Sequence, residues 1–371
     1  MSLLIPADLL PADGRFGSGP SKVPAGRLEA LAATGRTLMG TSHRQPPVKG
    51  LVRRVVDGLT TFYDLPEGYE VVIGNGGSAA FWDLATFALV EQRSQHAVFG
   101  EFGAKFAAAA RKAPWLGAPT VRTAEPGSLV LPEAEADVDV YAWTHNETST
   151  GVVAPVVRPA GAREDQLTLV DATSAAGGLA LDVTQADVYY FAPQKSFASD
   201  GGLWLALMSP AAVARAERIA ASDRYIPAFF DLVGALKNTR LDQTYNTPAV
   251  ATLFLMAEQL DWMNALGGLP AMVERVDASA QALYDWAEKA SYAAPFVADP
   301  AHRSPVVGTV ELDPAIDKVA LTRTLVANGI VDLDAYRGIG TNQLRIAMYP
   351  SIDAADVTAL TRCIDWVVER L

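Results

Sequence analysis

A lysine stands directly after a strongly apolar stretch of this sequence. Residues Val188 to Phe191 have the length and composition of a buried strand, and Ala192-Pro193-Gln194-Lys195-Ser196 follows them. Burial of an ammonium group favours its neutral form, and a neutral lysine amine is a nucleophile that forms a Schiff base with a carbonyl compound. The same pattern fits a lysine that extends its charged end from a surface loop. The neighbouring motifs decide between these two interpretations.

A glycine-rich turn precedes this strand in the sequence. Gly74-Asn75-Gly76-Gly77-Ser78 joins a predicted strand, Glu70 to Ile73, to a predicted helix through Trp82. Backbone N–H groups and the helix dipole meet at such a turn, so it is typical of a phosphate site. The spacing Gly74-x-Gly76-x-x-Ala79 also fits a dinucleotide fingerprint, in which Glu101 occupies the place of a ribose-binding acid.

An aspartate completes a set of residues that suits one cofactor, pyridoxal 5'-phosphate (PLP). Its ring nitrogen must stay protonated, which requires a facing carboxylate. Asp171 follows the predicted strand Leu167 to Val170 and is suited to this role, although it also fits a helix N-cap. The glycine turn would hold the phosphate, Phe102 would cover the ring, and Lys195 would bind the aldehyde. A nicotinamide dinucleotide accounts only for the glycines, so the pattern favours PLP.

The elements that must position these residues alternate between strand and helix. This alternation predicts an α/β fold with a mainly parallel sheet covered by helices, whose ligands gather at the carboxyl ends of the strands. We expect an N-terminal arm over residues 1–23, a large cofactor-binding domain over 24–266 and a smaller α+β domain over 267–371, with Gly267-Gly268 as a hinge. The predicted strands of the small domain are 306–312 and 344–347.

Composition excludes several classes of function. The formal net charge of -12 argues against nucleic acid or an anionic membrane as partner. No apolar run is long enough to span a bilayer, and the N-terminus lacks the pattern of a signal peptide. The single cysteine, Cys363, lies in the apolar stripe of a terminal helix, so no disulfide can form within the chain and a cytoplasmic location is expected. No metal site is expected.

Taken in order, the short motifs of the chain resemble those of the phosphoserine aminotransferases, which are class-V aminotransferases of fold type I. The resemblance covers nearly the whole chain. It implies an aspartate aminotransferase-like fold with a seven-stranded, mainly parallel sheet and a smaller α+β domain. The motifs that carry it are Ser18-Gly19-Pro20, His43-Arg44, Gly76-Gly77, Asn146-Glu147-Thr148, Asp171-Ala172-Thr173-Ser174, Gln194-Lys195, Tyr245-Asn246-Thr247-Pro248 and Arg345.

The resemblance implies a role for each residue of the cofactor site. Lys195 forms the Schiff base and later moves the substrate proton, while Asp171 faces the ring nitrogen. The remaining expected ligands are Phe102 stacked on the ring, Thr148 at the ring hydroxyl, and Gly77, Ser78 and Gln194 at the phosphate, where Asn246 and Thr247 of the other subunit of a homodimer join them.

For the substrates, the resemblance implies amino transfer from L-glutamate to 3-phosphohydroxypyruvate, giving 2-oxoglutarate and O-phospho-L-serine for serine biosynthesis. Arg345 is expected to bind the α-carboxylate, and His43, Arg44 and Arg337 the phosphate or distal carboxylate. The sequence departs from many members of the family, which carry arginine in place of Ser78, tryptophan in place of Phe102 and histidine in place of Tyr336. Loss of the cation at position 78 leaves more of the phosphate binding to the other arginines.

Four alternative functions compete with this interpretation. A serine or alanine:glyoxylate aminotransferase shares the cofactor chemistry but has less need for His43, Arg44 and Arg337 together. A nicotinamide-dependent dehydrogenase would use only the glycine turn. A non-catalytic PLP-binding regulator would need a DNA-binding segment, which the sequence lacks, and a cysteine desulfurase would need a mobile catalytic cysteine, which Cys363 in its helical stripe cannot be. The sequence leaves open a second phosphorylated keto acid, from vitamin B6 synthesis, as substrate.

Overall fold

A computed structural model describes residues 3–340 and 342–371. Met1 and Ser2, at the start of the predicted arm, lie outside the described residues. The α-helices are α1 Ala25–Ala33, α2 Pro46–Phe62, α3 Ser78–Ala88, α4 Glu101–Lys112, α5 Pro210–Ala220, α6 Leu232–Thr239, α7 Val250–Ala265, α8 Gly268–Lys289, α9 Lys318–Ala327 and α10 Ala354–Val368. The strands are β1 Glu70–Asn75, β2 Ser94–Val98, β3 Thr120–Thr123, β4 Val140–Thr144, β5 Asn146–Glu147, β6 Val152–Val153, β7 Leu167–Asp171, β8 Val188–Phe191, β9 Leu203–Met208, β10 Ala293–Pro295, β11 Val307–Leu312 and β12 Gln343–Ala347.

The large sheet has the strand order β1-β9-β8-β7-β4-β2-β3. The pairs from β8 to β3 are parallel, whereas β9 is antiparallel to both of its neighbours, β1 and β8. The sheet is therefore mainly parallel, as the alternating pattern predicts. All residues of β2, β4, β7, β8 and β9 are buried, because helices cover both faces of the sheet.

Alternate residues of each central strand pack into different hydrophobic clusters. In β8, Tyr189 and Phe191 join the cluster that includes α2 and α7, and Val188 and Tyr190 join the cluster that includes α3 and α5. This alternation follows from the two-residue repeat of a strand. It fixes the register of β8, and hence the position of Lys195 beyond its carboxyl end.

A second, three-stranded antiparallel sheet has the order β10-β11-β12, and α8, α9 and α10 pack around it. The predicted domain boundary at 266/267 falls between α7 and α8, where Gly267 and Gly268 both have positive φ angles. The boundary itself stays a prediction. The N-terminal arm contacts both sheets, because Phe16 O accepts a bond from Ala347 N of β12 and Ser21 N donates to Gln194 O.

In the part of the chain that it describes, the structure contains four strands that the sequence patterns did not predict, β3, β5, β6 and β10. Each has at most four residues, too few to show a marked apolar repeat. Among the described residues, the helices are too short or too polar to cross a membrane.

Candidate active site

One cavity collects the residues that the sequence patterns single out. It has a volume of about 500 Å³ and lies at the carboxyl ends of β1, β4, β7 and β8, which meet at one edge of the sheet. The predicted site residues that line it are Gly77, Ser78, Phe102, Thr148, Asp171, Gln194 and Lys195. The N-terminal arm adds Gly19 and Pro20 to its wall. The fold thus brings seven scattered predictions together.

Lys195 is buried, and its Nζ donates a hydrogen bond to the carbonyl oxygen of Ser18. The same carbonyl accepts a bond of 2.9 Å from the Tyr349 hydroxyl. A Cβ at Gly19 would press on the Lys195 amine, so a larger residue there would require the lysine side chain to shift. Burial, assisted by the positive charge of Arg345, lowers the pKa of Lys195 to about 7, against opposing effects from Asp171 and Glu147. The amine is therefore available as a nucleophile near neutral pH.

Asp171 is the last residue of β7, and its buried carboxylate accepts several hydrogen bonds. Its Oδ1 accepts bonds from Thr173 N at 3.0 Å and Thr173 Oγ1 at 2.5 Å, and its Oδ2 accepts one from Trp82 Nε1 at 2.9 Å. Burial raises the pKa of Asp171, and these donors oppose that rise. A carboxylate in this setting is suited to share a proton with a basic nitrogen.

The glycine turn presents the start of α3 to the same cavity. Gly76 has a φ of 120°, which only glycine adopts readily, and a Cβ there would press on Ala80. Gly77 is the N-cap and provides no side-chain cap, so N–H groups of the first turn remain for an anion. The Ser78 hydroxyl lies 2.6 Å from Thr173 Oγ1. The Thr173 hydroxyl proton is used in the bond to Asp171, so the Ser78 hydroxyl must donate to Thr173. This leaves the backbone N–H of Ser78, rather than its hydroxyl, as the donor available to an anion.

The cavity wall carries polar atoms whose partners are missing from the described part of the chain. These buried atoms are Thr144 Oγ1, Asn146 Oδ1 and Gln194 Oε1, and unpaired buried polar atoms are costly. Thr148 Oγ1 donates to Ser174 Oγ at 2.7 Å, which leaves it as an acceptor. An acid, an amine, an uncapped helix start and these polar atoms together match a phosphorylated pyridine aldehyde, so the residues fit PLP.

Glu147 is a buried residue that the sequence reasoning named only as part of a motif. Its carboxylate accepts bonds from Phe102 N and Gly103 N, each at 3.1 Å, and from Ser149 Oγ at 2.6 Å. Burial raises the pKa of Glu147, and the donors oppose this. An anion at the start of α4 compensates the orphan N–H groups and the helix dipole. Glu147 therefore fixes the helix that presents Phe102 to the cavity.

Replacement of Glu147 by glutamine is expected to lower the free energy of unfolding by about 2–4 kcal/mol, because a side-chain NH₂ would face the N–H donors of α4. Urea unfolding followed by circular dichroism measures this change. The exposed Glu67 provides a control, since Glu67→Gln should alter stability by less than about 0.5 kcal/mol. Equal stability of the two variants would contradict the capping role.

Arg345 lies on β12 beside the cavity, with Nη1 donating to Thr148 O at 3.2 Å and its guanidinium 5.3 Å from the ring of Tyr336. Burial lowers the pKa of Arg345. Its Nε is buried and has no partner among the described residues. A guanidinium with a buried, unpartnered N–H, close enough to Lys195 to lower the pKa of that amine, is placed to bind a carboxylate.

Lys105 is a cation near the cavity that the sequence reasoning missed. Its Nζ donates to the Tyr336 hydroxyl at 2.8 Å and lies 5.1 Å from the centre of the Phe102 ring. Helical periodicity gives the available signal, because Lys105 is one turn beyond Phe102 on α4. Trp82 was likewise named only as an apolar helix residue, although it stands one turn beyond Ser78.

Apart from Arg345, which lies beside the cavity, five predicted site residues do not line it. His43 Nδ1 lies 3.2 Å from Thr247 Oγ1, and both line a separate surface cavity of about 560 Å³. Arg44 and Asn246 are exposed on the same two loops, and Arg337 is exposed on the loop before β12. Within the single chain, the loops of His43, Arg44 and Arg337 carry these residues outside the lining of the Lys195 cavity, and their contacts with the substrate stay predictions.

Comparison with known proteins gives matches over the whole chain. The model of the aminotransferase class-V family matches residues 126–331. A phosphoserine aminotransferase of Nocardioides sp. is 64% identical over 371 residues, which cover 100% of this chain and 99% of the relative.

Solved structures share the fold. A phosphoserine aminotransferase from Cytophaga hutchinsonii superposes with a TM-score of 0.88 at 22% identity, covering 95% of this chain and 99% of that one. A PLP-bound phosphoserine aminotransferase from Trichomonas vaginalis superposes with a TM-score of 0.82 at 18% identity, covering 95% and 99%. The fold class expected from the sequence is confirmed.

Proposed function

The chain belongs to the phosphoserine aminotransferase family of the class-V aminotransferases, which use PLP, and we propose that it transfers the amino group of L-glutamate to 3-phosphohydroxypyruvate. The products are 2-oxoglutarate and O-phospho-L-serine. The observation that carries this proposal is one cavity in which Lys195, with its lowered pKa, and Asp171 lie beside the uncapped start of α3. The proposed reaction is a step of serine biosynthesis. A cytoplasmic location stays a prediction.

The cofactor would be held at both ends of its ring. Lys195 would bind the aldehyde, Asp171 would face the ring nitrogen, and the N–H groups of Gly77 and Ser78 would bind the phosphate. Thr148 would accept a hydrogen bond from the ring hydroxyl, Phe102 would cover a face of the ring, and Gln194 would add a contact at the phosphate. When bound, PLP supplies a carbonyl that condenses with amines and a cationic ring that takes up negative charge from the substrate.

Lys195 is the residue that moves protons. With PLP and substrate bound, the Lys195 amine would be the group available to take the Cα proton of the substrate as a general base. The Ser18 carbonyl, already fixed by Tyr349, accepts a bond from the freed amine and keeps it within the cavity. Asp171 would keep a proton on the ring nitrogen. Gly19 and Pro20 of the N-terminal arm form part of the cavity wall on the side of Lys195.

Arg345 would bind the α-carboxylate that glutamate and the phosphorylated keto acid share. Its unpartnered buried Nε and its position between Thr148 and Tyr336 support this role. Arg337 would meet the distal anion from the loop before β12, and Lys105 adds a further positive charge on that side of the cavity.

A homodimer would account for four of the predicted residues that lie on loops away from the cavity. His43 and Thr247 contact each other, and Arg44 and Asn246 are exposed beside them. We propose that these two loops reach the cavity of a second copy of the chain, where they bind phosphate groups. The link between Asn75 Nδ2 and Thr247 O, at 2.9 Å, holds the second loop against the glycine turn of its own chain.

Mixing two inactive variants tests this sharing. A dimer of one Lys195→Ala chain and one Arg44→Ala chain would contain one intact site if Arg44 serves the other subunit. We expect the mixture, after dissociation and reassociation, to recover up to about a quarter of wild-type activity, since half of the dimers are mixed and each has one intact site. If Arg44 serves its own chain, no mixed dimer has an intact site and activity stays absent. Sedimentation measures the dimer itself.

The lowered pKa of Lys195, about 7, predicts the pH dependence of cofactor binding. The neutral amine is the reactive form, so the rate at which the apoenzyme takes up PLP should rise between about pH 6 and pH 8 and then level off. Stopped-flow absorbance measures this rate. A rate that still increases steeply above about pH 9 would indicate a lysine with its usual pKa and contradict the assignment.

The same shift affects stability. The folded apoprotein releases the Lys195 proton at a pKa of about 7, whereas the unfolded chain holds it up to its usual pKa of 10.5. The unfolded state therefore binds more protons between these values, and this group makes the apoprotein more stable as the pH rises through that interval.

Half-reactions of the isolated pyridoxamine form with a panel of keto acids test the proposed function. We expect 3-phosphohydroxypyruvate and 2-oxoglutarate to react fastest, and glyoxylate to react slowly. A preference for glyoxylate would instead assign the chain to the serine or alanine:glyoxylate aminotransferases. The phosphorylated keto acid of vitamin B6 synthesis belongs in the same panel, because the cations near the cavity recognise only its phosphate and carboxylate.

A further inference from the structure

Asp171 is held by one face of α3. Ser78 and Trp82 are one helical turn apart, so their side chains leave the helix on the same side. Ser78 Oγ donates to Thr173 Oγ1, Thr173 Oγ1 donates to Asp171 Oδ1, and Trp82 Nε1 donates to Asp171 Oδ2. The helix whose first turn would bind the cofactor phosphate thereby also orients the carboxylate that would face the ring nitrogen.

The lone pairs of Asp171 show why the Trp82 bond matters. A carboxylate has about four acceptor directions, two on each oxygen. Thr173 N and Thr173 Oγ1 occupy those of Oδ1, and Trp82 Nε1 occupies one on Oδ2. Tyr190 is in register with Asp171 on β8, and its hydroxyl lies near enough to the carboxylate to help lower the pKa of Asp171, but it forms no hydrogen bond of regular geometry within the described part of the chain. One direction on Oδ2 is therefore left for a donor in the cavity.

We propose that Trp82 is a positioning residue, whose indole N–H fixes the plane of the Asp171 carboxylate and directs the remaining lone pair of Oδ2 towards the ring nitrogen of the cofactor. Trp82 lines the cavity but has its N–H turned to the acid. A donor on Oδ2 also stabilises the carboxylate as an anion, so it favours the proton on the ring nitrogen over the proton on Asp171. This inference rests on the proposed function, because it assumes that PLP occupies the cavity.

The test compares wild type with Trp82→Phe in the holoenzyme loaded with PLP labelled with ¹⁵N in the ring. We expect the ¹⁵N chemical shift to move from the protonated towards the neutral pyridine value in the variant. We also expect kcat to fall by about 10- to 100-fold with the KM of both substrates little changed, since the lost bond is a charge-assisted one that substrate binding does not use. Trp115→Phe is the matched control, because Trp115 Nε1 donates to the backbone at Thr86 O, outside the cavity.

A second variant separates this effect from packing. Site-specific incorporation of β-(3-benzothienyl)alanine at position 82 replaces the indole N–H by sulfur and keeps the shape of the side chain. It should reproduce the ¹⁵N shift change even if Trp82→Phe unfolds. An unchanged ¹⁵N shift in this isosteric variant would overturn the proposal, although the proposed function would stand. A ring nitrogen that is neutral in wild type would instead contradict the assigned role of Asp171 and with it the proposed function.

Discussion

Replacement of Lys195 by alanine is expected to lower kcat for amino transfer by at least about 10⁴-fold, because it removes both the covalent attachment of the cofactor and the base that acts at the substrate Cα. The buried position of the amine, its bond to Ser18 O and its pKa of about 7 support both tasks. Steady-state assays with glutamate and 3-phosphohydroxypyruvate measure the loss. The visible absorbance that borohydride abolishes in wild type should be absent from the variant.

Two further variants test whether the loss is due to the Lys195 amine itself. Lys195→Arg keeps a positive charge but no nucleophile, so it should be as inactive as the alanine variant if the amine does the chemistry. Lys289→Ala removes an exposed lysine that pairs with Asp285 on α8 and should keep full activity. Persistence of a borohydride-reducible absorbance in Lys195→Ala would exclude Lys195 as the attachment point.

Replacement of Arg345 by glutamine is expected to lower kcat/KM by about 10²- to 10³-fold for glutamate and for 3-phosphohydroxypyruvate alike. Both substrates carry the α-carboxylate, and the glutamine side chain cannot offer it a charged, two-pronged donor. The buried, unpartnered Nε of Arg345 would be the group most affected. Kinetics of the two half-reactions, measured separately, show whether the loss is shared.

Pyruvate distinguishes Arg345 from the cations assigned to the distal anion, because it has an α-carboxylate and no distal charge. Arg345→Gln should slow the half-reaction with pyruvate, and Arg337→Gln should leave it unchanged while it weakens binding of 3-phosphohydroxypyruvate. The reverse outcome would exchange the roles of the two arginines. A loss confined to one of the two physiological substrates in Arg345→Gln would also contradict its assignment to the α-carboxylate.

The first and last residues of two strands beside the site were predictable from the sequence. The strands predicted at 188–191 and 203–208 have the observed bounds of β8 and β9, because buried strands form uninterrupted apolar runs between Pro, Gly and polar residues. The resemblance to phosphoserine aminotransferases and the use of PLP, both inferred from ordered motifs, are confirmed by the relatives. The roles of individual site residues stay predictions, since no ligand contact tests them.

Other features could not be predicted from local patterns. The reversal of β9 follows from strand pairing across the sheet, and an apolar run has the same composition in either direction. From the sequence, Glu147 is expected to be a polar loop residue exposed to solvent. It is fully buried in the structure, because the start of α4, distant in sequence, donates backbone N–H groups to its carboxylate. The loops of His43 and Thr247 meet each other rather than the cavity of their own chain.

By itself the sequence determined the kinds of residue that can bind and use the cofactor, their order, and the strand ends on which they stand, because each of these depends on neighbours within a few positions. Only the tertiary structure decided how those side chains are held. The lowered pKa of Lys195 arises from burial next to the N-terminal arm, and the Asp171 carboxylate at the end of β7 is held by Trp82 from α3. Desolvation and hydrogen-bond direction depend on all the surrounding groups at once, and those groups come from distant parts of the chain.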